Sequence, residues 1–186
     1  MSNKNHIRKL QLAKRNQLTS KQVSEFSKQL VKLLISHSLV HSHQSIAFYL
    51  AVNNEVDLSD LLQFSAKKFL LPCIQTDHTM VFKQISMGDK LIKNQFGIPE
   101  PSPSLAEFTQ HIDLCLMPLV AFNRQGHRIG MGGGYYDRYF ADNRLRQKPT
   151  ILAGIAYDFQ ESDTIKNDPW DIPLDVIFTN KEVILP

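Results

Sequence analysis

The sequence contains the stretch Gly130-Met131-Gly132-Gly133-Gly134-Tyr135-Tyr136-Asp137-Arg138, which restricts the fold more than any other. Its first five residues hold four of the eight glycines of the chain. Because glycine loses more backbone entropy on folding than other residues, this run predicts a loop. The tyrosines that follow have helical spacing, so the loop is expected at a helix N-terminus, where unpaired N–H groups can hold phosphate. The alternative is a tight turn in which glycine only lets two backbone segments pass closely.

The two standard phosphate-binding motifs are absent from the sequence. No Gly-Lys-Ser or Gly-Lys-Thr occurs, and Gly130-Met131-Gly132 is not followed by the third glycine of a dinucleotide-binding fingerprint. A phosphate site at this run would therefore depend on backbone N–H groups and on nearby side chains.

Short apolar runs alternate with helical patterns along the chain. Helices are predicted over residues 4–16, from a capping box at Thr19-Ser20-Lys21-Gln22 to residue 34, over 58–65 with Asp57 as cap, and from the glycine run to about 146. Strands are predicted over 45–50, 69–74, 79–85, 112–117, 151–156 and 176–179, whereas 37–44 and the proline-rich 94–103 are expected to be irregular.

This alternation of strands and helices predicts one α/β domain, residues 1–186, in three α/β/α layers around a mostly parallel sheet. The glycine run is expected at the carboxyl end of a strand of that sheet.

Composition limits the functional class. The 186 residues are 42% hydrophobic, which is enough for a sizeable core, and a net charge of +3 without a dense Lys/Arg run does not favour nucleic acid as a partner. The N-terminus lacks an apolar h-region and no stretch is long enough to span a bilayer, so a cytoplasmic protein that does not bind membranes is expected. Cys73 and Cys115 lie in apolar runs and are expected to be reduced core residues.

Several charged residues stand where a ligand is expected. Asp137, just after the glycine run, and Asp175, before a strand, are candidate Mg²⁺ ligands, because this cation prefers oxygen and bridges carboxylates to phosphates. Each has an alternative role, Asp137 in complementing the helix N-terminus and Asp175 in a turn. Glu55 follows a strand and can accept N–H donors from a heterocycle, unless it is a solvated loop residue. The candidate cations for phosphate oxygens are Lys4, Arg8, Arg124 and Arg128. The alternative for each of them is a solvated surface charge.

Motifs throughout the chain resemble one enzyme family. Residues 126–138 resemble the signature of the 5-formyltetrahydrofolate cyclo-ligases, also called methenyltetrahydrofolate synthetases. Similarity to the same family extends to the basic start of the chain, to a strand that ends in a substrate-binding glutamate, to the loop Phe96-Gly97-Ile98-Pro99-Glu100-Pro101, and to 113–118 and 171–179. These motifs follow the family's order over nearly the whole chain.

The resemblance implies an ATP- and Mg²⁺-dependent reaction that closes 5-formyltetrahydrofolate to 5,10-methenyltetrahydrofolate and releases ADP and phosphate. In the family, the γ-phosphoryl group is transferred to the formyl oxygen, the N10 nitrogen attacks the activated carbon, and phosphate leaves. The resemblance also implies a fold of the NagB/RpiA/CoA-transferase type. A monomer is expected, with folate and ATP as its small-molecule partners.

The resemblance also implies roles for individual residues. ATP would be bound by Lys4, Asn5, His6, Ile7, Arg8, Arg128, Ile129, Gly130, Met131, Gly132, Gly133, Gly134, Tyr135 and Tyr136. The folate would contact Leu50, Glu55, Met131, Gly132, Gly133, Gly134 and Tyr135. Mg²⁺ would be held by Asp137 and Asp175, and the catalytic residues would be Arg128, Tyr136 and Asp137.

The chain departs from the family pattern at two positions of the glycine run. Some members carry Arg and Lys where this chain has Met131 and Gly133, so two cations near the phosphates are missing. A protein of this fold that binds folate or nucleotide without turnover is therefore an alternative. A sugar-phosphate isomerase of similar architecture is another, and only analogy of fold supports it.

Overall fold

The computed structural model describes residues 3–64, 66–94, 97–108 and 110–186. Within these ranges the α-helices are α1 (Asn3–Asn16), α2 (Ser20–Ser36), α3 (Ser38–Ser42) and α4 (Tyr135–Tyr139), and 3₁₀ helices cover Ser59–Gln63, Asn143–Leu145 and Asp158–Gln160. The strands are β1 (Ser45–Ala47), β2 (Lys68–Ile74), β3 (Met80–Ile85), β4 (Leu91–Lys93), β5 (Pro99–Pro101), β6 (Leu114–Pro118), β7 (Ala121–Phe122), β8 (Arg128–Ile129), β9 (Ile151–Ile155), β10 (Val176–Phe178) and β11 (Val183–Ile184). In the described part of the chain, no helix is both long and apolar enough to cross a membrane.

A seven-stranded sheet in the order β11-β10-β9-β6-β1-β2-β3 forms the centre of the molecule. The five central strands, from β10 to β2, pair in parallel, and the edge strands β11 and β3 pair antiparallel to their neighbours. The prediction of an α/β fold with a mostly parallel sheet is therefore confirmed.

Both faces of this sheet are buried, as the side chains of β6 demonstrate. Leu114 and Leu116 belong to one core cluster, which includes buried residues of α2, whereas Cys115 and Met117 belong to a second cluster, which includes Phe140 after α4. Because successive residues of a strand point to opposite faces, a strand covered on both sides is apolar throughout. Cys115 is a buried free thiol, as predicted.

Helix α2 begins with the predicted capping box. The Thr19 side chain accepts a hydrogen bond from the backbone N–H of Gln22, and the Gln22 side chain accepts one from the backbone N–H of Thr19. Segment 37–44 was predicted to be a polar loop but contains the short helix α3. The His37 ring caps this helix by accepting a hydrogen bond from the backbone N–H of Leu39. Local side-chain bonds to backbone therefore determine where both helices start.

The crossover between β1 and β2 is less regular than predicted. The predicted helix over 58–65 is the five-residue 3₁₀ helix Ser59–Gln63, and residue 65 lies outside the described residues. Asp57 accepts the N–H of Ser59 two residues on, which is a turn contact rather than an α-helical cap. Isolated helices of one or two turns are marginal in water, so a short segment between two buried strands adopts this tighter form.

Helix α4 is shorter than predicted. It ends at Tyr139, whereas the sequence predicted a helix to about residue 146. The Asn143 side chain donates to the carbonyl of Thr150 and accepts its N–H, both at 2.8 Å. These two buried hydrogen bonds hold the chain in the 3₁₀ helix Asn143–Leu145, so the α-helix does not continue.

Segment 94–103 is not wholly irregular, contrary to prediction. Its Pro99–Pro101 forms β5, which pairs antiparallel with β4. Proline is tolerated here because alternate N–H groups of a two-stranded ribbon point away from the partner strand. Phe96, at the start of the loop compared with the family, lies outside the described residues.

Candidate functional site

The glycine loop, residues 130–134, connects strand β8 to helix α4. The predicted position after a strand of the parallel sheet is wrong, because β8 belongs to a two-stranded antiparallel ribbon with β7. The predicted helix start is confirmed, with Gly134 as the N-cap of α4 at φ 64°. Gly132 has φ 104°, a backbone conformation that L side chains rarely adopt. The loop therefore requires glycine at these two positions.

Arg8 of α1 lies against this loop. Its Nε donates to the carbonyl oxygen of Gly130 at 2.8 Å, and a Cβ placed on Gly132 would lie 3.6 Å from the guanidinium carbon. The structure thus brings the basic start of the chain to the glycine loop, although 122 positions separate Arg8 from Gly130. Two segments that the resemblance assigns to ATP are neighbours.

A buried cation faces the first turn of α4. Arg128 is 7% exposed, and its Nη2 donates to Asp137 Oδ1 at 2.7 Å. Its Nε is buried and makes no hydrogen bond within the described part of the chain. A buried polar atom without a partner is uncommon, so this guanidinium retains capacity for an anionic ligand.

Lys4 binds two carboxylates that the sequence reasoning missed. Its Nζ contacts Asp168 Oδ2 at 2.6 Å and also Asp171 Oδ2. Burial opposes the Lys4 ammonium, yet the hydrogen bonds to Asp168 and Asp171 raise its pKa above the ordinary value. The N–H of Ile172, the residue after Asp171, donates to Asp137 Oδ1 at 3.3 Å, so the backbone next to Asp171 contacts the Asp137 side chain. The only signal in the sequence was the turn-like Asn167-Asp168-Pro169 before Asp171.

Asp175 is engaged elsewhere. It precedes β10, where its Oδ2 accepts the N–H of Leu152 at 2.8 Å and its Oδ1 accepts Arg144 Nη1 at 2.5 Å. Leu152 is near the amino end of β9, so Asp175 lies at the amino ends of two parallel strands. Both of its carboxylate oxygens already have partners.

Glu55 lies in the turn after β1 and is 7% exposed. Its Oε2 accepts the N–H of Val52 at 3.1 Å, and its Oε1 is 3.5 Å from Arg15 Nη2. Burial raises the pKa of Glu55, while Arg15 and the Val52 hydrogen bond act in the opposite direction. Burial also raises the pKa of Tyr136 well above its ordinary value, and the charge of Glu55 adds to this effect. The predicted folate residue and the predicted catalytic tyrosine therefore act on each other electrostatically.

The remaining predicted residues surround the same loop or lie apart from it. Leu50 packs partly buried against the core cluster on one sheet face, and Tyr135 packs against the other cluster beneath the Arg138 guanidinium, 5.0 Å from the ring centroid. Met131 is 55% exposed. Arg124, in contrast, binds Glu161 and Glu182 at the surface.

The donor set limits what metal this region can hold. Among residues 3–64, 66–94, 97–108 and 110–186, no three His, Cys, Asp or Glu side chains are grouped as a protein metal cage. Mg²⁺ is usually bound through one or two carboxylates together with substrate phosphates. Asp137 and Asp171, which the hydrogen bond from the Ile172 N–H brings into one region, are two carboxylates of this kind.

Comparison with known proteins gives matches that agree in family and cover most of the chain. The family described as the 5-formyltetrahydrofolate cyclo-ligase family matches residues 1–180. The 5-formyltetrahydrofolate cyclo-ligase of Mycoplasma genitalium is 34% identical over 97% of this chain and 99% of its own length, and that of Escherichia coli is 28% identical over 91% and 96%. The solved 5,10-methenyltetrahydrofolate synthetase of Aquifex aeolicus has a TM-score of 0.85 and 30% identity, covering 99% of this chain and 93% of that one.

Proposed function

The chain belongs to the 5-formyltetrahydrofolate cyclo-ligase family, and from this premise we propose how its residues carry out the ATP-dependent closure of 5-formyltetrahydrofolate to 5,10-methenyltetrahydrofolate. One observation carries the proposal: Arg8 joins the start of α1 to the glycine loop, beside the pair formed by Arg128 and Asp137. Two cations therefore lie at this exposed loop. A third, Lys4, stands one helical turn before Arg8 and pairs with Asp168 and Asp171.

ATP binds, in this proposal, between the start of α1 and the glycine loop. The phosphates contact loop N–H groups, and the cations Lys4, Arg8 and Arg128 neutralise them. The predicted set for ATP is kept in full: Lys4, Asn5, His6, Ile7, Arg8, Arg128, Ile129, Gly130, Met131, Gly132, Gly133, Gly134, Tyr135 and Tyr136. Its support is the contact between two segments that are distant in sequence.

Mg²⁺, when bound with ATP, neutralises charge on the transferring phosphoryl group. We propose Asp137 and Asp171 as its carboxylates, because the Ile172 N–H links the two positions. Asp175 stays a prediction of the resemblance, and its hydrogen bonds to Leu152 and Arg144 favour a structural role.

The reaction needs the formyl oxygen to become a leaving group. The γ-phosphoryl group is transferred to that oxygen, the N10 nitrogen attacks the formyl carbon, and phosphate leaves with the oxygen. Because phosphoryl transfer depends mainly on positioning and charge neutralisation, Arg128 and the other cations supply most of what the protein must provide. The Tyr136 hydroxyl is protonated at neutral pH, as tyrosines ordinarily are, and burial raises its pKa further, so it can donate a hydrogen bond.

The folate is proposed to bind against Leu50, Glu55, Tyr135 and the loop residues Met131, Gly132, Gly133 and Gly134. Glu55 accepts N–H donors of the pterin ring. We further propose a single domain of the NagB/RpiA/CoA-transferase type in three layers, acting as a monomer. The cytoplasmic location and the absence of nucleic-acid and membrane partners stay predictions of the sequence.

Purified protein with 5-formyltetrahydrofolate, ATP and Mg²⁺ should produce the absorbance of the methenyl product, with stoichiometric ADP. Folded protein without product or ADP would contradict the proposal. If both ligands nevertheless raised the thermal midpoint, the result would support a binding protein without turnover, the alternative suggested by Met131 and Gly133.

A further inference from the structure

We propose that Arg15 is a positioning residue for folate recognition, which holds the turn that carries Glu55 and places positive charge beside Glu55 Oε1 without donating a hydrogen bond to it. The inference depends on the proposed role of Glu55. In this proposal Arg15 makes no contact with the folate and acts through Glu55 and the turn that carries it.

Arg15 is a fully buried cation in the last turn of α1, with 1% exposure. Its Nε donates to the carbonyl of Asn53 at 3.0 Å, and its Nη1 donates to the carbonyl of Leu119 at 3.4 Å. Asn53 follows β1 and Leu119 follows β6, two adjacent parallel strands. One guanidinium therefore ties α1 to the carboxyl ends of both strands.

The turn that carries Glu55 requires such support. Asn53 and Asn54 have φ values of 49° and 58°, in the left-handed region that non-glycine residues seldom adopt. The Asn54 side chain donates to the carbonyls of Arg15 and Leu18 at 3.2 and 3.1 Å, and the Tyr157 hydroxyl donates to the Asn54 carbonyl at 3.0 Å. The end of α1 and this turn thus determine each other's position.

The distance between Arg15 and Glu55 is the unusual feature. Arg15 Nη2 is 3.5 Å from Glu55 Oε1 and makes no hydrogen bond within the described chain. Charge-assisted N–H···O bonds are shorter, about 2.7–2.9 Å. Since Val52 holds Oε2, the arrangement supplies positive charge to Oε1 while its lone pairs stay open to a donor.

The charge of Arg15 matters because the surroundings oppose ionisation. Burial raises the pKa of Glu55, and Arg15 is the charged side chain that lowers it. The hydroxyls of Tyr49, Tyr136 and Tyr157 also interact electrostatically with Glu55. They are neutral at physiological pH, because the ordinary tyrosine pKa is about 10 and burial raises the pKa of each further. Without Arg15, Glu55 would take up a proton more readily and would lose acceptor capacity for the two N–H groups of a pterin.

The test compares Arg15→Lys, Arg15→Met and a control, Lys14→Met, which removes an exposed cation from the same turn. We expect Arg15→Lys to raise the KM for the folate by about tenfold, corresponding to one hydrogen-bonding contact, with the KM for ATP changed less than about twofold. In Arg15→Met, the acid limb of kcat/KM for the folate should move to higher pH. A folate KM and an acid limb like those of Lys14→Met would overturn the inference.

A double-mutant cycle separates positioning from a general structural effect. Glu55→Gln combined with Arg15→Lys should bind folate no more weakly than Glu55→Gln alone, because both changes disable one group. Additive losses would refute the positioning role, and Arg15→Lys keeps this test available should Arg15→Met fail to fold. If wild-type protein does not turn over the folate, or if Glu55→Gln matches wild type, the proposed function of Glu55 fails instead.

Discussion

Arg128 Nη2 lies 2.7 Å from Asp137 Oδ1, so the cation that we propose for phosphate and the carboxylate that we propose for Mg²⁺ neutralise each other in the folded chain. Lys4 is paired in the same way with Asp168 and Asp171. Binding of ATP with Mg²⁺ would exchange these internal pairs for pairs with phosphate and metal, which keeps the charges compensated in both states.

Asp137→Asn should reduce turnover by at least about 100-fold, because it removes charge from the proposed metal site while keeping the side-chain volume. The measurement is kcat over a Mg²⁺ titration, together with the thermal midpoint. Asp142→Asn, an exposed aspartate just beyond α4, is the matched control and should behave as wild type. Wild-type turnover of Asp137→Asn at limiting Mg²⁺ would remove Asp137 from the metal site.

Asp171→Asn and Asp175→Asn should separate the two candidate second carboxylates. We expect Asp171→Asn to raise the Mg²⁺ concentration needed for half-maximal activity by about tenfold, as loss of one ligand contact would. Asp175→Asn should keep the Mg²⁺ requirement and lose about 1 kcal/mol of stability, because it weakens the bonds to Leu152 and Arg144. The reverse pattern would assign the metal to Asp175.

Asp113→Asn should destabilise the protein at neutral pH by about 1–3 kcal/mol. Burial opposes the Asp113 carboxylate, but hydrogen bonds from Lys148, Ser45 and Gln44 hold its pKa well below the usual range. A depressed native pKa stabilises the fold above the unfolded-state value of about 3.9, and this contribution is lost as the pH falls toward the native pKa. Urea unfolding should therefore show that the difference in unfolding free energy between Asp113→Asn and wild type is smaller at pH 3 than at pH 7.

A second exposed aspartate provides the control for this titration. Asp163→Asn should have the same unfolding free energy as wild type at both pH values. A gap for Asp113→Asn that is constant with pH would mean that packing, and not the charge of Asp113, accounts for the loss.

Gly126→Ala should cost more stability than Gly88→Ala, although both glycines have positive φ, of 81° and 94°. A Cβ at Gly126 would lie 2.8 Å from the backbone oxygen of Leu174, whereas nothing lies within 4 Å of one at Gly88. Backbone strain alone should cost about 1–3 kcal/mol in each variant. Chemical denaturation of both variants measures how much more unfolding free energy Gly126→Ala loses than Gly88→Ala. Equal losses would mean that the backbone near Leu174 moves to accommodate the new Cβ at little cost.

Much of the fold follows from local patterns. The glycine loop, the capping box at Thr19 and Gln22, and the apolar runs of the central strands were predictable, because backbone entropy, side-chain capping and two-sided burial act over a few residues. The length of α4 was not predictable, because it depends on hydrogen bonds between Asn143 and Thr150. The β4–β5 and β7–β8 ribbons depend likewise on pairing partners that no local pattern specifies.

Sequence patterns are enough to name the residue types of the candidate site. These are glycines that let the backbone approach a ligand, basic residues at the start of the chain, and acidic residues after the loop and near the C-terminus. Which of these residues contact one another depends on the folded arrangement of the chain. The fold brings the backbone next to Asp171 into contact with Asp137, ties Asp175 to β9, and buries Arg15 against the turn of Glu55. An ion pair or hydrogen bond depends on distance in space, so residues separated by 164 positions, such as Lys4 and Asp168, come within bonding distance only after the chain has folded.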